Sequence, residues 1–212
     1  MKIIRIPTGQ LDVNTYYAAC EKTKKGFIVD PGGYDRTLTE KIREDGVSIE
    51  YIILTHGHHD HIGGVAPFRK EFPEAKLVAS KYEKEMLCDP MMNFSGYFGD
   101  NASLTPDIFV DDGDTLTVGS LEIKFIHTPG HTPGGMCVYV ENVLFSGDTL
   151  FRQSIGRTDF PGSSFADLEK SLYEKIFLLP DDTHVLPGHM EETEIGFEKR
   201  NNPFVRYMAN RR

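Results

Sequence analysis

Few folds can accommodate the cluster of histidine and aspartate residues that follows the apolar run Tyr51 to Leu54. That run predicts a buried strand, and the segment THGHHDHIGG comes directly after it. Alternate side chains of an extended segment share a face, so His56 and His58 converge, whereas Asp60 and His61 lie past the turn. The pattern therefore favours ligands for two metal ions over a polar loop whose histidines only cap and hydrogen-bond.

Three further residues of the same chemical types stand in glycine-containing loops downstream. They are His131 in HTPGHTPGG, Asp148 in FSGDTLF and His189 in LPGH. Together with the first loop, and in this order, they resemble the signature of the metallo-β-lactamase superfamily. The resemblance extends from the first strands to about His189 and is strongest toward the glyoxalase II group. Within that group it resembles short bacterial hydrolases with a GDTLFRxSIGRTDFPG-like segment, here residues 147 to 162.

The resemblance implies a centre of two divalent metal ions. The first ion would be bound by His56, His58 and His131, the second by Asp60, His61 and His189, and both by the bridging Asp148. Imidazole and carboxylate ligands suit zinc, the first choice, with iron or manganese as alternatives. Two such ions can hold a bridging hydroxide, the expected nucleophile, because their joint charge lowers the pKa of water. Asp60 is the expected catalytic residue that orients this hydroxide, and Asp30 is expected to orient a ligand loop.

The order of apolar and polar runs predicts an α/β protein. Residues 1 to 30 predict a meander of antiparallel strands, and the second half predicts further strands with hairpin turns at Asp112-Gly113 and Glu141-Asn142. A helix over 165 to 178 is predicted to cover the second sheet. The family resemblance implies a four-layer αβ/βα sandwich of two mixed β-sheets flanked by helices. At 212 residues, the chain 1–212 is predicted to form a single domain.

Composition narrows the range of partners. The net charge of −9 argues against a nucleic-acid partner, because phosphate binding needs a basic face. The first residues lack both a signal-peptide core and a membrane span, so cytoplasmic localisation without a membrane partner is expected. Three cysteines without CxxC spacing indicate neither a disulfide framework nor a structural zinc site. The sequence makes no prediction of oligomeric state.

The segment 88 to 106 lacks periodicity and is rich in aromatic residues, including Tyr97. It is interpreted either as a lid or cavity wall beside the metals, with Tyr97 as a substrate contact, or as a surface loop that covers its own apolar side chains. Arg152 and Arg157 are the other candidate substrate contacts, through a carboxylate of the thiol carrier. Asp159 would repel such a carboxylate, and Arg157 could instead form a structural ion pair.

The ligand set and the resemblance together predict hydrolysis of a small thioester such as S-lactoylglutathione. Classical β-lactamases of the superfamily have Cys or Ser where this chain has Asp148, which disfavours antibiotic hydrolysis. The alternative from another reaction class is a non-haem iron persulfide dioxygenase of the same fold, since two histidines and a carboxylate form the iron set of oxygenases. A non-catalytic metal-binding domain is the third possibility. The basic C-terminal domain of glyoxalase II is largely missing, so weak use of glutathione thioesters is expected.

Overall fold

The computed structural model describes residues 1–209, and its main elements are two six-stranded sheets. The first sheet has the order β1-β2-β3-β4-β5-β6, with strands Lys2–Thr8, Val13–Cys20, Lys25–Val29, Ser48–Ile53, Lys76–Ser80 and Ile108–Val110. The second sheet has the order β14-β13-β10-β9-β8-β7. Strands β7 to β10 are Thr115–Val118, Leu121–His127, Met136–Val140 and Val143–Gly147. Strands β13 and β14 are His184–Pro187 and Thr193–Glu194. A small hairpin joins β11 (Leu150–Phe151) to β12 (Ser154–Ile155). Both large sheets are mixed, because each combines parallel and antiparallel pairs.

The helices lie outside the two sheets or in the connecting segments. In chain order they are α1 Arg36–Glu44, α2 His59–Ile62, α3 Val65–Glu71, α4 Lys84–Cys88, α5 Ser95–Phe98, α6 Phe165–Glu174, α7 Ile195–Asn201 and α8 Pro203–Ala209. The ends of the longer helices follow from local chemistry. Asp35 caps α1 by accepting a hydrogen bond from the Leu38 amide, and Ser164 caps α6 in the same way through Asp167.

The central strands of the first sheet are apolar without interruption because both of their faces are covered. In β3, Phe27 and Val29 join the cluster between the two sheets, whereas Ile28 packs on the helical side with Leu38 and Ile42 of α1. The successive side chains of a strand point to opposite faces, so one continuous apolar run serves two layers of the core. The expected meander is confirmed, since β1, β2 and β3 pair antiparallel.

The second sheet repeats this arrangement with its own helical cover. Phe125 and Phe145 face the first sheet, and Leu144 faces the outer cluster that contains Leu168 and Leu172 of α6. The layers are therefore helix, sheet, sheet and helix. The predicted α/β fold class, a four-layer sandwich with two mixed sheets, is confirmed.

The prediction of a hairpin turn was wrong at one position. Asp112-Gly113 does not close a hairpin, because β6 before it belongs to the first sheet and β7 after it to the second. The turn instead carries the chain across the sandwich, with Gly113 at a φ of 82°. Turn chemistry marks a reversal of the chain but not which sheet the next strand joins.

Over residues 1–209, the structure contains no helix that combines the length and apolar character required to cross a bilayer.

Candidate metal centre

All seven predicted metal ligands lie beyond the carboxyl ends of four strands. The loop after β4 leads through His56 and His58 into α2, which carries Asp60 and His61. The other three ligands follow β8, β10 and β13 and are His131, Asp148 and His189. Because β10 and β13 run parallel, with Gly147 opposite Pro187, the segments that follow them leave the second sheet side by side. The fold therefore gathers the seven side chains at one edge of the sandwich.

The first group consists of three buried imidazoles. His58 Nδ1 lies 3.1 Å from His56 Nε2 and 3.0 Å from His131 Nε2. The far nitrogen of His131, Nδ1, lies 2.9 Å from the carbonyl oxygen of Arg157 and donates a proton to it in the tautomer that leaves Nε2 free. Three ring nitrogens directed at one point are the arrangement that a transition-metal ion requires.

The second group combines a carboxylate with two imidazoles. Asp60 Oδ2 lies 3.1 Å from His189 Nε2 and 3.7 Å from His61 Nε2. His61 is completely buried, whereas 26% of the His189 side chain is exposed. The donor atoms of these three residues lie within 4.8 Å of one another, so they too could hold an ion.

Asp148 lies between the two groups. Its Oδ1 is 3.4 Å from His61 Nε2, and its Oδ2 is 3.5 Å from His131 Nε2. Within residues 1–209, both His61 Nε2 and Asp148 Oδ1 are buried atoms without a hydrogen-bond partner. Leaving such atoms unpaired costs free energy, and a cation bound between them would satisfy both. The residues present therefore fit a metal centre.

Burial and mutual proximity set the charges of the centre. Burial, with a further contribution from the neighbouring histidines, lowers the pKa of His56 well below its ordinary value and that of His58 to about 3. Burial opposes ionisation of Asp60 and Asp148, but His61 and the other nearby histidines together outweigh it and hold both carboxyl pKa values below their ordinary range. Burial opposes protonation of His61 and His189, but the nearby carboxylates outweigh it and raise the pKa of both. Metal ions bind neutral imidazoles and ionised carboxylates, so metal binding would displace protons from these two histidines.

Asp30 supports the first loop from behind. Its Oδ1 accepts a hydrogen bond from the Thr55 amide at 2.7 Å, and its Oδ2 accepts one from the Thr55 hydroxyl at 2.6 Å. His61 Nδ1 lies 2.9 Å from the same Oδ2, which directs the opposite ring nitrogen toward the centre. The contact with a ligand loop that was expected of Asp30 is present.

Glu83 is a buried carboxylate that the sequence did not reveal. Its Oε2 accepts a hydrogen bond from the Gly57 amide at 3.2 Å, between His56 and His58. Its Oε1 accepts one from the Gly134 amide at 2.9 Å and another from the Thr132 hydroxyl. Glu83 thus joins the loop after β4 to the loop after β8. It lies in an ordinary helical segment, where no motif distinguishes it.

We expect the Glu83→Gln variant to alter the pH dependence of stability. Burial raises the pKa of Glu83 from 4.5 to about 7, against the hydrogen bonds that lower it. Because the pKa of Glu83 is raised in the folded state, its contribution to the free energy of unfolding is fully present below pH 4.5. This contribution is lost as pH rises through about 7. In denaturant unfolding of metal-free protein, the stability of wild type relative to Glu83→Gln should fall by about 3 kcal/mol from pH 4.5 to pH 8. If the free energies of unfolding of the two proteins changed with pH in the same way, this expectation would be contradicted.

The centre forms the floor of a cavity of about 450 Å³. Tyr97 and Arg157, both candidate substrate contacts, line this cavity together with Phe94 and Phe160. The segment 88–106 is therefore a cavity wall. Arg152 is not among the lining residues; it lines a separate cavity, where its Nη1 donates to the Glu192 carbonyl at 3.2 Å. Phe160, which the sequence did not single out, lies in the segment that resembles the short bacterial hydrolases.

Comparison with known proteins agrees with this geometry. The family described as Metallo-beta-lactamase superfamily matches residues 8–189. A Haemophilus influenzae protein named hydroxyacylglutathione hydrolase GloC is 35% identical over 187 residues, which cover 86% of this chain and 88% of that protein.

Three solved structures share the fold over nearly the whole chain. The BLEG-1 B3 metallo-beta-lactamase is 37% identical with a TM-score of 0.89, and the match covers 96% of this chain and 99% of that one. ETHE1 from Myxococcus xanthus is 28% identical with a TM-score of 0.81, covering 99% and 91%. TTHA1623, solved in a di-iron-bound form, is 30% identical with a TM-score of 0.81, covering 95% and 99%. The strand-end cluster, the sandwich and these matches agree, and the chain belongs to the metallo-beta-lactamase superfamily.

Proposed function

We propose that this protein is a binuclear metal-dependent hydrolase that cleaves a small thioester. The observation that carries the proposal is the position of Asp148, whose two carboxylate oxygens face different ligand groups at the floor of one cavity. A carboxylate placed in this way can ligate two ions at once. Similarity to a protein named hydroxyacylglutathione hydrolase supports a thioester as the substrate.

The proposed ligands fall into two sets, and a further group of His56, His61 and Asp148 lies close enough to join them. One ion is assigned to His56, His58 and His131, the other to Asp60, His61 and His189, and Asp148 is assigned to both. Zinc is the first choice on ligand chemistry. Iron is the alternative that a relative with two iron ions supports, and manganese is also compatible with these ligands.

The bound ions would polarise the thioester carbonyl and lower the pKa of the attacking water. Asp60 Oδ2 faces the shared space beside His189 and is the proposed acceptor that orients this water. The water loses a proton to solvent, the resulting hydroxide adds to the acyl carbon, and the carbon–sulfur bond breaks. The sulfur leaves as a thiolate, with an ordinary pKa of about 8.5, so a strong general acid is not needed.

β-Lactam hydrolysis is a second candidate. It is favoured by the likeness to BLEG-1, which bears the name of a B3 metallo-beta-lactamase and is matched along nearly its whole length. That likeness weakens the argument against antibiotic hydrolysis that was drawn from the identity of Asp148. Both reactions need attack of water on a polarised carbonyl, so the same centre would serve either.

The deciding experiment offers three substrates to one metal-loaded preparation. S-lactoylglutathione reports thioester cleavage, nitrocefin reports β-lactam cleavage, and glutathione persulfide with dissolved oxygen reports the dioxygenase alternative. We expect thioester cleavage to have the highest kcat/KM, together with two ions per chain by elemental analysis. Oxygen consumption without thioester cleavage, with one tightly bound iron per chain, would overturn the proposal in favour of the dioxygenase.

A further inference from the structure

The cavity above the centre is walled largely by apolar side chains. Its lining includes Leu11, Phe94, Tyr97, Phe98, Phe151 and Phe160. Several of these side chains present unburied surface, since Tyr97 is 70% and Phe98 is 42% exposed. Exposed aromatic surface beside a reaction centre is available for a ligand to cover.

The aromatic wall of the cavity consists of Phe94, Tyr97, Phe98 and Phe160. It is held in place beside His58 of the first ligand group. The Phe94 ring lies 5.0 Å from the His58 ring and 5.4 Å from the Phe160 ring, centre to centre. Phe94 has a φ of 67°, a left-handed conformation that is uncommon for a bulky residue. The buried Asn93 fixes the backbone here, because its Oδ1 accepts from the Ser95 amide at 2.9 Å and its Nδ2 donates to the Ala102 carbonyl at 2.8 Å. Backbone strain that the surroundings maintain is typical of functional sites.

Within residues 1–209, Arg157 is the one arginine that lines the cavity, and it is already paired. Arg157 Nε donates to Asp159 Oδ1 at 2.9 Å, and its Nη2 donates to Asp159 Oδ2 at 2.8 Å. The guanidinium also lies 4.3 Å from the centre of the Phe160 ring. This bidentate pair occupies the Nε–Nη2 edge of the guanidinium, and the Asp159 carboxylate leaves no net positive charge there. On the other side of the cavity, His59 Nε2 lies 3.1 Å from the Asp100 carboxylate.

From the paired arginine and the aromatic wall we infer that the thiol carrier of the substrate is neutral and apolar, such as an aromatic thiol, rather than a multiply charged peptide such as glutathione. The inference rests on the proposed thioesterase function and narrows its substrate class. A neutral ring would cover the exposed faces of Phe98 and Tyr97. A glutathione carrier would bring carboxylates to Asp159 and Asp100, where the lining residues within 1–209 offer no lysine and no arginine other than the paired Arg157 to receive them.

The first test compares two thioesters that share the lactoyl group. One is the lactoyl thioester of benzyl mercaptan, which is neutral and apolar, and the other is S-lactoylglutathione. We expect kcat/KM to favour the benzyl compound by about tenfold or more. An equal value or a preference for S-lactoylglutathione would overturn the inference while leaving the thioesterase function in place.

A binding measurement separates the inference from the proposed function. The matching 2-hydroxypropyl thioethers of benzyl mercaptan and glutathione have a methylene in place of the carbonyl and cannot be hydrolysed. Calorimetric titration of metal-loaded protein should give a Kd about tenfold lower for the benzyl thioether. If neither thioester is cleaved, this ratio still decides the preference of the cavity. A glutathione thioether that binds as tightly would refute the inference.

Two variants test the residues that are held responsible. Phe98→Ala should lower kcat/KM for the benzyl thioester by about fivefold to tenfold and change the glutathione thioester less. Phe204→Ala, in α8 and 40% exposed, is the matched control that should change neither. Asp159→Asn should release Arg157 and raise kcat/KM for S-lactoylglutathione by about threefold to fivefold. If Phe98→Ala affects both thioesters equally and Asp159→Asn affects neither, the assignment of specificity to these residues is wrong.

Discussion

Replacing Asp148 with alanine should remove both metal ions and lower kcat/KM for a thioester by more than about a hundredfold. Asp148 Oδ1 faces His61, and its Oδ2 faces His131, so each ligand group loses an oxygen in the same variant. Partners that only orient a ligand typically contribute 10- to 100-fold in metal affinity or activity, and loss of a shared ligand should exceed this. Elemental analysis after desalting and a thioester assay provide the two measurements.

Two further variants test whether the loss of both ions is specific to Asp148. His189→Ala should weaken mainly the second ion, because His189 Nε2 lies beside Asp60 and 3.9 Å from Asp148 Oδ2. Asp182→Ala removes an exposed carboxylate away from the centre and should keep both ions and full activity. Circular dichroism would verify that the Asp148→Ala chain still folds. A folded Asp148→Ala protein that retains two ions would contradict the bridging role of this carboxylate.

Replacing Asp30 with alanine should destabilise the protein by about 3–5 kcal/mol. Asp30 is buried, and its removal leaves the Thr55 amide, the Thr55 hydroxyl and His61 Nδ1 without their acceptor. Buried donors that lose their partner bear the full cost of desolvation. The free energy of unfolding in denaturant, measured for metal-free wild type and variant, tests the size of the effect.

Asp30→Asn is the matched control, because it keeps a carbonyl oxygen for the Thr55 amide and introduces an NH₂ group opposite His61. The free energy of unfolding of Asp30→Asn should lie between that of wild type and that of Asp30→Ala. Loss of less than about 1 kcal/mol in Asp30→Ala, the range of ordinary surface changes, would show that the support of the loop does not depend on this carboxylate.

Local patterns in the sequence were sufficient to anticipate the fold class and to name the residues gathered at the sheet edge. Both depend on short-range information: apolar runs specify strands, and His56, His131, Asp148 and His189 each stand in a loop soon after such a run. The family resemblance supplied the layer order, which periodicity alone does not contain. The assignment of these residues as metal ligands stays a proposal that the metal analysis tests.

Other features depend on contacts between distant parts of the chain. Glu83 lies 49 residues before its partner Thr132, and nothing in its neighbourhood indicates the pairing. Arg152 stands only five positions from Arg157 in the sequence, yet it lines a different cavity because it lies in the turn between β11 and β12, whereas Arg157 follows β12. Proximity in sequence therefore did not predict proximity in the folded protein.

The proposed ligands come from both sheets, and this couples folding to metal supply. The first sheet leads to His56, His58, Asp60 and His61, and the second leads to His131, Asp148 and His189. An ion held by residues of both sheets binds the folded chain and not the unfolded one. At a free concentration one hundred times its Kd, each such ion would add about 2.7 kcal/mol to the free energy of unfolding. In a metal-poor cell, the abundance of this protein would therefore decline along with its activity, because the unfolded fraction is the one exposed to proteases.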